Sequence, residues 1–123
     1  MPPAKTEEVE KYLRGLVGAV PGSEAGAVVT PDGLMIAHVL PGHVDEELVA
    51  GTSAALVSVA ERIGKELDRG DFELAMVRGS RGVMLATSAG PEAVLILLTT
   101  RDVKLGLAFL ELRRIVGKIA EIV

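Results

Sequence analysis

Apolar residues return at three- and four-residue intervals from Val9 through Leu13, Leu16 and Val17 to Val20, with Tyr12 beside them. That period predicts an amphipathic helix. Thr6 stands at its expected N-cap, Glu7 and Glu8 suit the positive end of the helix dipole, and Pro21-Gly22 stops it. Two apolar runs, residues 25–30 and 34–40, flank Pro31-Asp32-Gly33, where proline sets φ and glycine accepts a positive φ. This pattern predicts a β-hairpin. Pro41-Gly42-His43 breaks the chain, and Asp45 caps a second helix ahead of Glu46 and Glu47.

That helix runs through residue 67, where Arg69-Gly70-Asp71 closes it. In residues 72–77, Phe72, Leu74 and Met76 alternate with Glu73, Ala75 and Val77, the period of a half-buried strand. A turn at residues 78–82 leads into a strand at 83–88, and Ala89-Gly90-Pro91-Glu92 leads into another at 93–100. The last of these is the most continuously apolar, so a central place is expected for it. Asp102 is read as the cap of a final helix with Leu105, Ala108, Phe109, Leu112, Ile115, Val116 and Ile119 along one face. The predicted order is α-β-β-α-β-β-β-α. Hairpin connections make the five-stranded sheet mainly antiparallel, with helices on its faces: an α+β sandwich in a single domain over residues 1–123.

The second helix carries no Lys, Arg, Glu or Asp between Leu48 and Ala60. One stripe, Leu48, Thr52, Ala55, Leu56, Val59, Ile63 and Leu67, is expected to pack on the sheet. The other holds Ala50, Ser53, Ala54, Val57 and Ser58, with Glu46, Glu47, Glu61 and Lys65 at its ends. Small residues with a charged rim suit a crossing of two helices, and predict a dimer contact there. The strand at residues 72–77 follows a long helix and has a hairpin partner on one side only. Two readings stay open: a place at the sheet edge, open to a second chain, or a strand covered within its own domain.

Composition narrows the function. With 49% hydrophobic and 24% charged residues the chain is globular, and its net charge of −4 argues against a nucleic-acid partner. No Lys/Arg-rich amphipathic helix suggests a membrane surface, and the longest apolar run, residues 93–98, is far shorter than the ~20 residues a spanning helix needs. No apolar leader is seen at the start, so the expected compartment is the cytoplasm. Without cysteine there is neither a disulfide nor a thiolate metal site.

Catalytic motifs are missing as well. His38 and His43 lie on either side of a Pro-Gly break with Asp45 nearby, which is too few ligands to hold a metal. Arg78-Gly79-Ser80-Arg81-Gly82 lacks the first glycine of a nucleophile elbow. Gly64-Lys65 and Gly117-Lys118 lack the Ser or Thr of a phosphate loop. The carboxylates sit at helix starts and turns, where capping explains them. Arg78 and Arg81 are the one cationic pair of interest, able to meet phosphates or an acidic patch on a partner. No cofactor and no enzymatic activity are expected.

The element order, the hairpin running from Gly26 through Asp32-Gly33-Leu34 to Ala37, the uncharged second helix, and Lys104-Leu105-Gly106-Leu107 together resemble the Roadblock/dynein light chain family. The resemblance covers nearly the whole chain. It implies a profilin-like α/β/α sandwich and a homodimer, or a heterodimer with another Roadblock protein. It also implies a Ras-like small GTPase as partner, in a regulatory, scaffolding or GTPase-activating role. Carried over by position, Ala50, Ser53, Ala54 and Val57 would face the second protomer, and Phe72, Leu74 and Met76 would lie on the pairing strand. Glu46, Glu47, Glu61 and Lys65 would border the partner GTPase, and Arg78 and Arg81, read from the turn alone, are further candidates to touch it. The alternative is a profilin-like small-ligand sensor or signalling module, for which Thr87, Thr99 and Thr100 are the candidate polar lining.

Overall fold

The computed structural model describes residues 2–123. Its elements are α1 (Pro3–Ala19), β1 (Ser23–Val29), β2 (Met35–Val39), α2 (Glu46–Glu66), β3 (Leu74–Arg78), β4 (Val83–Ser88), β5 (Val94–Thr99) and α3 (Leu105–Ile122). The strands form one five-stranded sheet in the order β2-β1-β5-β4-β3, and every neighbouring pair is antiparallel. The apolar strand β5 lies in the middle, as its composition predicts. Of the two readings of residues 72–77, the sheet edge is the one present: β3 pairs with β4 alone.

Side-chain alternation along each strand sends residues to two separate cores. Val28, Leu85, Leu95 and Leu97 meet Val9, Leu13 and Leu16 of α1 and Leu112, Ile115 and Ile119 of α3. Ala27, Val29, Ala86, Val94 and Ile96 face the other way and meet Val49, Ala50 and Val57 of α2. Two helices therefore cover one face of the sheet and a single helix covers the other.

The orientation of α2 reverses the expectation. Val49, Ala50, Ser53, Val57 and Gly64 are the buried residues of this helix, whereas Leu48, Thr52, Ala55, Val59, Ile63 and Leu67 are exposed and Leu56 is half-buried. The reason is shape. The β1–β2 turn, with Gly33 at φ +97°, comes so near that a Cβ on Gly33 would lie 3.5 Å from the Ala54 methyl and 3.8 Å from the Ala50 carbonyl oxygen. Small residues do permit a close approach, but to the chain's own hairpin. Gly64 does the same at the other end, where the N–H groups of Arg69 and Gly70 donate to its carbonyl at 2.7 and 3.1 Å. A side chain on Gly64 would run into the Gly70 carbonyl.

Of the three expected caps, one forms. Asp45 accepts from the N–H groups of Glu47 and Leu48 at 2.9 and 3.1 Å. Thr6 lies inside α1, which starts at Pro3, where proline's missing N–H costs nothing. Asp102 lies before α3, whose N-cap is Lys104 with no side-chain hydrogen bond.

Candidate functional site

Most soluble monomers expose large apolar side chains singly. Here Leu48 (63% exposed), Val59 (54%) and Ile63 (49%) lie on the outer face of α2, and Leu67 (62%) is its C-cap residue. Thr52 stands among them, and its hydroxyl donates to the Leu48 carbonyl at 2.7 Å, so its polar group is satisfied within the helix. Beside this stripe a groove of about 540 Å³ separates α2 from the sheet edge, with Leu56, Val59 and Ile63 on one wall and Leu74, Ala75 and Met76 on the other. Leu74 and Met76 are 44% and 43% exposed. The apolar stripe and the groove lead to the unpaired edge of β3, whose Ala75 faces α2 while Leu74 and Met76, opposite Thr87 and Leu85, lie on the α3 face.

The expected dimer residues divide on this geometry. Ala50, Ser53 and Val57 are 3%, 0% and 2% exposed within their own protomer, and Ala54 is half-buried over the Gly33 turn. Such residues cannot offer a surface to a second chain without leaving the sheet. Phe72 precedes β3 rather than lying on it and is half-buried, while Leu74 and Met76 do lie on the exposed edge strand. The outer residues Leu48, Val59, Ile63 and Leu67 read as core in the sequence because a stripe of large apolar residues has the period of a buried face, yet all four are exposed. The helix glycines give no clear signal in sequence: Gly64 shares the buried face of Ala50, Ser53 and Val57, but Gly51 lies on the exposed side with open space around it.

The expected charged rim is exposed but does not form one patch. Glu46, at the start of α2, lies 3.2 Å from Nε2 of His38 on β2. Glu47, Glu61 and Lys65 project from the helix. Arg78 and Arg81 bracket the β3–β4 turn, which is closed by the Gly79 N–H donating to the Gly82 carbonyl at 2.8 Å. Among the described residues, no group of three or more His, Asp or Glu side chains is placed to hold a metal ion. No helix among them is long and apolar enough to cross a membrane. What this surface offers is apolar area and unpaired backbone groups.

The Roadblock/LC7 domain pattern matches residues 11–99, which include all five strands and α2. This chain belongs to the Roadblock/LC7 domain family. An uncharacterized protein of Methanocaldococcus jannaschii is 41% identical over 98 residues, spanning 80% of this chain and 85% of its own length. Among solved Roadblock structures, the gliding protein MglB from Thermus thermophilus matches with a TM-score of 0.87 at 19% identity, over 99% of this chain and 93% of its own. An MglB with tetrameric arrangement gives 0.90 at 20% identity, over 99% and 92%. Profilin II of Acanthamoeba castellanii gives 0.64 at 17% identity, over 94% and 96%. At these identities the structural likeness is one of fold, and the fold is the profilin-like sandwich of Roadblock proteins.

Proposed function

We propose that this Roadblock protein is a non-catalytic, dimeric regulator or scaffold for a Ras-like small GTPase, working in the cytoplasm. The observation that carries the reading is the exposed apolar stripe of α2 running into the open edge of β3. Fully burying a large aliphatic side chain yields about 1.5–3 kcal/mol. Leu48, Val59 and Ile63 on the outer face of α2, with Leu67 at its C-cap, are a standing drive toward association. An isologous contact, α2 against α2 and β3 beside β3, would use the stripe and the edge together. The partner in that contact is a second copy of this chain or another Roadblock protein. The solved MglB with tetrameric arrangement gives this fold a precedent for assembly.

The GTPase partner comes from the family resemblance, and Glu46, Glu47, Glu61, Lys65, Arg78 and Arg81 are the exposed charges available to meet it. Any acceleration of hydrolysis would work by ordering the GTPase's own switch residues. An inserted arginine is worth large factors in rate, so loss of all activation in Arg78→Ala or Arg81→Ala would overturn that mechanism. The direct test measures mass by sedimentation equilibrium at micromolar concentration, then binding to GTP- and GDP-loaded Ras-like GTPases of the same genome. A dimer that retains one nucleotide form is expected. A monomer would overturn the assembly, and equal indifference to every GTPase would overturn the partner.

A further inference from the structure

On the sheet face opposite α2, a cavity of about 460 Å³ opens between α3 and the strands β3 and β4. That volume falls in the range of small-ligand sites, roughly 300–1,000 Å³. Phe109, Leu112 and Val116 of α3 form its apolar wall, and Phe72, packed against the core under α2, only borders it. The cavity needs neither the α2 stripe nor the GTPase partner.

Two polar features stand in these apolar walls. Arg113 lines the α3 wall. Its neighbour Arg114 is held by Glu111 at 2.8 Å, but Arg113 makes no ion pair or side-chain hydrogen bond among the described residues. Thr87 lines the sheet wall, and its Oγ1 is shut away from solvent without a partner. A rotation about χ1 would exchange the methyl and the hydroxyl and turn the donor into the cavity. A buried hydroxyl without a partner is a cost that a ligand oxygen would relieve.

The charge on the rim selects the ligand. One guanidinium matches one carboxylate in a bidentate pair. Glu73 also borders the cavity, and the chain's net charge is −4, so a phosphate with two negative charges is poorly served. We propose that this cavity binds a small organic monocarboxylate. Its apolar body lies against Phe109, Leu112 and Val116, and its carboxylate takes the Arg113 guanidinium and the Thr87 hydroxyl.

Titration of the intact protein with octanoate, followed by amide NMR, tests this, with octan-1-ol as the neutral match. Saturable shifts at Thr87, Ser88, Phe109 and Arg113 are expected, with octanoate binding at least tenfold more tightly than octan-1-ol. Arg113→Gln should weaken octanoate about tenfold and leave octan-1-ol unchanged. Thr87→Val should raise the melting temperature of the free protein while weakening octanoate severalfold, an opposition of signs that a purely structural role would not give. No saturation at millimolar octanoate, equal affinity for the alcohol, or shifts clustered on Val59 and Ile63 would each overturn the proposal.

Discussion

Across the width of α2, Val49, Ala50, Ser53 and Val57 rest on the sheet while Leu48, Val59, Ile63 and Leu67 project into solvent. Ranked by size, these sets are the wrong way round: the bulkier side chains are outside. Burial therefore followed fit rather than hydrophobicity. The surface beneath the helix is a floor of Ala27, Val29, Ala86, Val94 and Ile96 with the Gly33 turn pressed against Ala50 and Ala54. Close-packed interiors admit only side chains that fill the space available. The larger residues are left facing solvent.

Val57 and Val59 put that contrast within two residues. Val57→Glu should cause the larger loss, because the carboxylate would enter the core between α2 and the sheet with no cationic partner. An uncompensated buried charge costs about 3–5 kcal/mol, and urea denaturation should show a loss of that size. Val59→Glu should leave secondary structure and cooperative unfolding intact at low concentration. Its effect belongs on assembly: a dimer dissociation constant raised at least about 100-fold, or about 2.7 kcal/mol, in sedimentation. If Val57→Glu dissociated a stable fold and Val59→Glu unfolded it, the helix would be turned the other way.

Where local pattern decides structure, the chain is readable. The limits of β4, the central place of β5 and the Asp45 cap all follow from alternation, turn residues and capping chemistry. The facing of α2 does not, because both stripes are apolar and the choice depends on the Gly33 turn, which is distant in sequence. Thr6 and Asp102 mislead for a related reason. Each is a good capping residue, but Pro3 opens α1 earlier and α3 starts only after Lys104. Strand alternation puts Leu74 and Met76 on the edge strand, while Leu48, Val59, Ile63 and Leu67 read as core because a buried stripe and an exposed apolar stripe have the same period.

Ser53 carries the smallest effect and the sharpest sign. It is fully buried, and its Oγ has no hydrogen-bond partner, so folding strips the hydroxyl of water and returns nothing. If its place on the inner face reflects size alone, Ser53→Ala should preserve the close approach and remove that penalty. Alanine is also the better helix former by roughly 0.5 kcal/mol, and relief of an unsatisfied hydroxyl adds on the order of 1 kcal/mol. The urea midpoint should rise by a corresponding amount while the sedimenting mass stays unchanged. A fall in stability would mean that the hydroxyl holds a water or a backbone carbonyl, and that polarity as well as size shapes the inner face. A change of mass would be the more damaging result, because it would return Ser53 to the interface between chains and undo the division of α2 into a folding face and an assembly face.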